Sequence, residues 1–204
     1  MSPRILLLRH GQIIANRQRR WHGSTDSSLT LRGRWQAYLT GRFLSKNEHI
    51  NAVYTSPLQR CRHTAKLAAG HAPVQHEIVP EIAEMSVGAW EGMAFNELND
   101  RHKLIERCNQ DLDWAPPGGE SLSTVAKRMR QGLVAIADRH AESDTVLVVS
   151  HGAAMAIALG ELLHQDPRSW VQYHFENCSL TEIRLGSNPS LEVFNSCAHR
   201  KPFS

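Results

Sequence analysis

The sequence predicts an α/β domain built on a largely parallel sheet, and three observations point to it. Short apolar runs alternate with stretches of helical spacing along the whole chain, without an internal repeat or a low-complexity tract. Two of the runs, Ile5-Leu6-Leu7-Leu8 and Val146-Leu147-Val148-Val149, are continuous rather than alternating, as strands covered on both faces require. With 204 residues, 41% of them hydrophobic, the chain has the composition of one globular domain. A domain of that size buries roughly 70% of the surface its unfolded form would expose.

Arg4 to Arg9 is the predicted first strand, and a long loop follows it. Thr30 supplies the hydroxyl of a helix N-cap, and Leu31, Trp35, Tyr38, Leu39 and Phe43 recur behind it at helical spacing, which predicts a helix lying on the sheet through that stripe. Ala52 to Thr55 reads as the second strand. Ser56 and Pro57 then serve as cap and first-turn proline of another helix, with Arg60 and Arg62 close to its start. A weaker strand falls around His76 to Val79, followed by a loop over Glu81 to Gly92. Met93 to Trp114 is polar and reads as helical, and Ala115-Pro116-Pro117-Gly118-Gly119 ends it, so about 93–120 is expected to form a helical insertion covering the active site. Ser121 caps an amphipathic helix in which Leu122, Val125, Met129, Leu133 and Ile136 step by three and four. Thr145 to Val149 is the clearest buried strand, Gly152 to Leu163 a helix, and Ser179 to Leu185 and Leu191 to Asn195 late strands.

Charge and composition exclude several classes. A net charge of +3 is mild for a nucleic-acid protein, and no basic run is interleaved with aromatics, so anionic small molecules are the expected partners and nucleic acid is not. No membrane span is expected, because the longest apolar stretch, Val146 to Leu163, contains His151, Gly152 and Glu161. The first apolar run is cut short by Arg9 and His10, which argues against a signal peptide and for a cytoplasmic protein. Cys61, Cys108, Cys178 and Cys197 are scattered, with no Cys-x-x-Cys pair, and read as thiols in a reducing compartment.

Two segments share one design, Leu8-Arg9-His10-Gly11 and Val149-Ser150-His151-Gly152. Each drops a histidine at the carboxyl end of a buried strand and follows it with a glycine where the chain turns. A strand-end histidine taken singly is more often a satisfied core imidazole than a ligand-binding group. Ligands of open α/β sheets bind outside the carboxyl ends of the strands, so two such histidines can meet over one pocket if their strands are neighbours. Arg9 is a poor residue to bury without an anion to pair with. No carboxylate stands at ligand spacing from either histidine, so no metal or other cofactor is expected. An arginine fork with two imidazoles suits a phosphate.

These residues resemble the histidine phosphatase superfamily, the phosphoglycerate mutase-like proteins, over nearly the whole chain. The matching pieces, in order, are Leu8-Arg9-His10-Gly11 with Asn16, Gly23-Ser24-Thr25-Asp26 with Leu29-Thr30 and Gly33, Thr55-Ser56-Pro57-Leu58 with Arg60 and Thr64-Ala65, Glu84 with Gly88-Ala89-Trp90-Glu91-Gly92, Pro117-Gly118-Gly119-Glu120-Ser121, and Ser150-His151-Gly152. The resemblance implies a three-layer α/β/α sandwich, a single domain over 1–204, and phosphoryl transfer through a phosphohistidine. His10 would be the nucleophile, with its other ring nitrogen held by a backbone carbonyl. Arg9, Arg60 and His151 would clamp the phosphoryl oxygens, Glu84 would be the proton donor, and Asn16 would add a side-chain donor. Gly152, His22 and Gly23 complete the candidate phosphate- and substrate-contacting set, with Arg17, Arg19 and Arg20 at the pocket mouth. One departure stands out, Ile13 where relatives commonly carry threonine.

Between Met85 and Glu120 there is no adjacent basic pair to grip a doubly anionic acid, and Pro117-Gly118-Gly119-Glu120-Ser121 resembles the phosphatase branch, that of α-ribazole phosphatases and broad-specificity phosphatases. The expectation is a metal-independent phosphomonoester hydrolase acting on a small phosphorylated metabolite. A cofactor-dependent phosphoglycerate mutase and a non-catalytic phosphate-binding module on the same fold are the alternatives. The oligomeric state stays open, a homodimer included.

Overall fold

The computed structural model describes residues 2–70 and 72–200. Six strands, β1 (Arg4–Arg9), β2 (Ala52–Thr55), β3 (His76–Ile78), β4 (Thr145–Ser150), β5 (Leu180–Arg184) and β6 (Ser190–Ser196), form one sheet in the order β3-β2-β4-β1-β5-β6. The four strands from β3 to β1 run parallel, and β5 and β6 complete the sheet antiparallel. Seven helices accompany them among the described residues: α1 (Ile14–Arg17), α2 (Leu31–Asn47), α3 (Gln59–Ala69), α4 (Phe95–Asp100), α5 (Leu104–Gln110), α6 (Leu122–Ala137) and α7 (Gly152–His164).

Successive residues of a strand point to opposite faces, so a continuous apolar run feeds two cores at once. Ile5, Leu7, Val146 and Val148 pack with residues of α6 and α7, whereas Leu6, Leu8, Leu147 and Val149 pack with residues of α2 and α3. The result is the expected α/β fold with a helical layer on each face of a mostly parallel sheet. The register pairs Arg9 with Ser150, which sets the strand ends before His10 and His151 side by side.

Two helix expectations need correction. On α2, Thr30 does cap the helix, accepting from Gly33 N at 3.0 Å. The face turned to the protein, however, is Gly33, Gln36, Ala37, Thr40, Gly41 and Leu44, while Leu31, Trp35 and Tyr38 are 86%, 59% and 44% exposed. The cause is close approach: a Cβ on Gly41 would lie 2.4 Å from Leu67 O and one on Gly33 2.2 Å from Gln12 O, so only small side chains fit there. On α3, the first helical residue is Gln59 rather than Pro57, and its amide is capped by a distant carboxylate, Asp26, at 2.9 and 3.0 Å. Ser56 Oγ instead accepts from Leu58 N and meets His151.

The segment 93–120 forms the two short helices α4 and α5, separated by Lys103 in the left-handed region (φ 53°). The Glu81 to Gly92 stretch is not plain loop, since it contains 3-10 turns at Pro80–Ile82 and Gly88–Trp90.

The corrected face of α2 gives a stability test. Gly41→Ala adds a methyl against a backbone carbonyl and is expected to lower urea-unfolding stability by about 1–3 kcal/mol, although alanine is the better helix former. Trp35→Ala, at the centre of the stripe that the sequence pattern points inward, should shift it by about 0.5 kcal/mol or less.

Candidate active site

The site grows from the carboxyl ends of β1 and β4. His10 is 3% exposed and His151 fully buried, and their rings meet edge-on with centroids 5.2 Å apart. His10 Nδ1 lies 2.8 Å from Gly11 O. A carbonyl only accepts, so Nδ1 carries the proton and Nε2 keeps its lone pair. Burial pushes the His10 imidazole well below its ordinary pKa, and the Arg60 and Arg9 charges push the same way.

His151 is neutral for the same reasons, burial first and Arg60 second. Its Nδ1 accepts from Arg60 Nε at 3.2 Å, which leaves Nε2–H to donate to Ser56 Oγ at 2.7 Å. Arg60 has no exposed surface. Its Nη1 donates to Thr25 O at 2.7 Å, and its Nη2 to His22 O and Gly23 O at 3.0 and 2.7 Å. The amides of that same loop turn the other way: Glu91 accepts from Gly23 N, Ser24 N and Thr25 N at 2.9–3.2 Å, and from Val87 N of its own segment at 3.2 Å. A Cβ on Gly23 would sit 2.1 Å from Met85 O, which makes this glycine a packing requirement of the loop.

A cavity of about 660 Å³ opens above His10, with Arg9, Asn16, His22, Glu84 and Gly152 among its lining residues. Arg9 Nη1 donates to Phe175 O, and its buried Nε has no protein partner. A Cβ on Gly152 would come within 3.2 Å of that Nε, so the glycine leaves room for the guanidinium to lie across the start of α7. Glu84 is held at the same helix start: Oε1 accepts from Met85 N and Ala154 N at 2.9 and 2.8 Å, and Oε2 from Ala153 N at 3.3 Å. Asn16 Oδ1 accepts from Ile13 N and from Asn177 Nδ2, both at 3.1 Å, so its own amide nitrogen is the group left for the cavity.

Of the residues singled out from the sequence, Arg9, His10, Asn16, His22, Glu84 and Gly152 line the cavity together, with Arg19 and Arg20 at its rim. Arg60, His151 and Gly23 do not line it; they form a buried layer behind His10. Asn177 is a lining residue that sequence reasoning missed. Its Nδ2 bridges His10 O at 3.0 Å and Asn16 Oδ1, tying the loop before β5 to the end of β1. No local pattern marks it, because its role depends on β5 pairing with β1.

Ile13, where the family resemblance leads to an expectation of threonine, is buried in a small cluster with Ala15 and Leu29 and, as the N-cap residue of α1, makes no side-chain hydrogen bond to the helix. Among the described residues no three His, Cys, Asp or Glu side chains converge to hold a metal ion, and no helix is long and apolar enough to cross a membrane.

The sequence profile described as Histidine phosphatase superfamily (branch 1) matches residues 5–195. The chain belongs to this superfamily. It is 36% identical over 179 residues to a bifunctional protein of Mycobacterium tuberculosis, covering 87% of this chain and 49% of that one, so it spans about half the length of that relative. It is 30% identical over 189 residues to an Erwinia tasmaniensis protein named "Probable phosphoglycerate mutase GpmB", covering 92% of this chain and 87% of the other. The crystal structure of Entamoeba histolytica phosphoserine phosphatase in complex with 3-phosphoglyceric acid superposes with a TM-score of 0.86 at 28% identity, over 97% of this chain and 98% of that one.

The buried histidines set a pH dependence. His10 and His151 sit well below the ordinary histidine range, and burial lowers His199, which meets Thr40 Oγ1 and Cys178 O, to about 4. In the unfolded chain the same groups titrate near about 6.5. The unfolded state therefore takes up protons first as the pH falls, and stability drops with it. Urea-unfolding stability should be level above about pH 7 and decline from about 6.5 towards 4, and His199→Gln should flatten part of that decline.

Proposed function

We propose that this member of the histidine phosphatase superfamily hydrolyses a small phosphomonoester through a phosphohistidine on His10. The observation that carries the reading is the neutral imidazole at the cavity floor, its Nδ1 proton engaged by Gly11 O and its Nε2 lone pair unprotonated beside Arg9. In the first step Nε2 attacks phosphorus, the bond to the ester oxygen breaks, and Glu84 gives a proton to the departing oxygen. In the second, water attacks the phosphohistidine and returns a proton to Glu84, releasing inorganic phosphate and His10.

Arg9 and the Asn16 amide are the donors placed to meet the phosphoryl oxygens, where preorganised donors are worth most. Arg60, with three loop carbonyls and His151 as its partners, contributes its charge from behind His10 and holds His151 in place. The reaction so written draws its positive charge from arginine and uses no metal ion. The free thiols Cys61, Cys108 and Cys178, all buried, accord with action in a reducing compartment such as the cytoplasm.

The mutase relative makes a mutase the second reading. Against it, the segment 85–120 contributes only uncharged side chains, Phe95 and Asn96, to the cavity lining among the described residues. Arg101, Lys103 and Arg107, the cations that could grip a second anionic group, lie outside that lining.

Two measurements test the proposal. In EDTA, the wild type should release p-nitrophenol from p-nitrophenyl phosphate while His10→Ala is slower by about a thousandfold or more. Interconversion of the phosphoglycerates without p-nitrophenol release would favour the mutase instead. Glu84→Gln should slow the phosphorylation of His10, read as single-turnover release of the alcohol, by about a hundredfold or more for an alkyl phosphate, and far less for p-nitrophenyl phosphate, because p-nitrophenolate departs without a proton. Equal losses on both esters would remove Glu84 from the acid role.

A further inference from the structure

Above the floor, the wall of the cavity is aromatic, and no step of phosphoryl transfer uses it. Trp21, Phe95 and Tyr173 all line the space over His10. Trp21 and Phe95 lie nearly parallel, 11° apart in plane with centroids 6.1 Å apart, and Trp170 meets Trp21 edge-on at 6.5 Å. On the other part of the lining, Tyr173 stands edge-on to Phe194 at 5.5 Å.

These rings are fixed before any ligand arrives. Trp21 Nε1 donates to Met85 O at 3.1 Å, and its backbone is bonded to Met93 O and Gly92 N at 2.9 and 2.8 Å. The Tyr173 hydroxyl is 2.7 Å from His164 Nε2. A wall already ordered loses little conformational entropy on binding. Phe95 nevertheless remains 38% exposed, an apolar face left to water at the edge of a concave site.

Size and charge agree with the shape. A volume of about 660 Å³ is that of a cleft able to take a drug-sized ligand, far more than phosphate and three carbons fill. Among the described residues, the only arginines or lysines of the lining beyond Arg9 are Arg19 and Arg20, both exposed, and Arg20 Nη1 already donates to Gly92 O at 2.7 Å.

We infer that the outer half of this cavity is a ring-binding subsite, and that the substrate is a phosphomonoester of an alcohol bearing a planar aromatic ring rather than the phosphate ester of a three-carbon acid. This rests on the phosphatase reading above. The ring of the leaving group lies along Trp21 and Phe95 while its phosphate reaches Arg9 and His10.

The test uses the full chain and two primary alkyl esters of matched leaving-oxygen basicity, 2-(1-naphthyl)ethyl phosphate and ethyl phosphate, with phosphoserine and 3-phosphoglycerate as acid competitors. The naphthylethyl ester should exceed ethyl phosphate in kcat/KM by at least about tenfold, the scale of one aromatic stacking contact. Phe95→Ala should bring that ratio down to about threefold or less, and Phe95→Tyr should restore it. Equal kcat/KM on the two alkyl esters, a ratio unmoved by Phe95→Ala, or a preference for phosphoserine or 3-phosphoglycerate over the naphthylethyl ester overturns the inference and leaves the phosphatase reading standing. Failure of the wild type to hydrolyse any ester, p-nitrophenyl phosphate included, overturns the phosphatase reading and this inference with it.

Discussion

A guanidinium with no exposed surface holds this site together. Taking a cation out of water costs several kcal/mol unless its donors find acceptors. Arg60 has no carboxylate at ion-pair distance among the described residues. Its acceptors are the carbonyls of His22, Gly23 and Thr25 and the Nδ1 of His151. Much of the site follows from that set of contacts. Three carbonyls of one loop must converge on a point, His151 must keep Nδ1 unprotonated, and Ser56 must stand where Nε2–H can reach it. The same charge, added to burial, keeps His10 neutral.

The loop between His22 and Thr25 is stabilised from both sides by opposite charges. Its carbonyls face a guanidinium and its amides face the Glu91 carboxylate, so neither charge is left uncompensated even though the two are not paired directly. A second arginine repeats the device beside Glu84. Arg128 donates to Glu81 O and Ala83 O at 2.7 Å and to Glu84 O at 3.1 Å, and is itself paired with Glu120. Glu120 also accepts from Ser86 N at 3.0 Å, which connects the Pro117-Gly118-Gly119-Glu120-Ser121 stretch to the support of Glu84. The carboxyl that faces the cavity therefore sits on a backbone fixed by side chains that never touch it.

What the sequence made legible is what local rules control. β1 and β2 have the bounds that the apolar runs predict, Thr30 and Ser121 cap their helices, and the histidines fall at strand ends, because periodicity, capping and burial on both faces act within a few residues. What it did not make legible depends on neighbours distant in the chain. The face of α2 is chosen by how closely that helix approaches α3, so Gly33 and Gly41 outweigh a stripe of larger apolar residues. The start of α3 is decided by Asp26, more than thirty positions away. The strand-end pattern brought His151 to the site and the family resemblance brought Arg60, but neither could tell lining from support, and Asn177 became visible only once β5 was seen to pair with β1.

Phosphate binding and nucleophilic attack place opposite demands on a histidine, since a protonated imidazole attracts the anion but has no lone pair to offer. In the proposed reaction this site separates the two demands. The positive charge comes from the guanidinium groups of Arg9 and Arg60. The imidazoles, buried beside those charges, are left neutral. Direct pairing of β1 with β4 is what allows this division, because it places Arg9 and His10 on one strand end and His151, the acceptor for Arg60, on the next. With either strand moved out by one position in the sheet, Arg60 would lose the acceptor for its Nε and His10 would lose the cation behind it. The order of the sheet is in that sense the first requirement of the proposed chemistry, ahead of the identity of any one donor at the cavity wall.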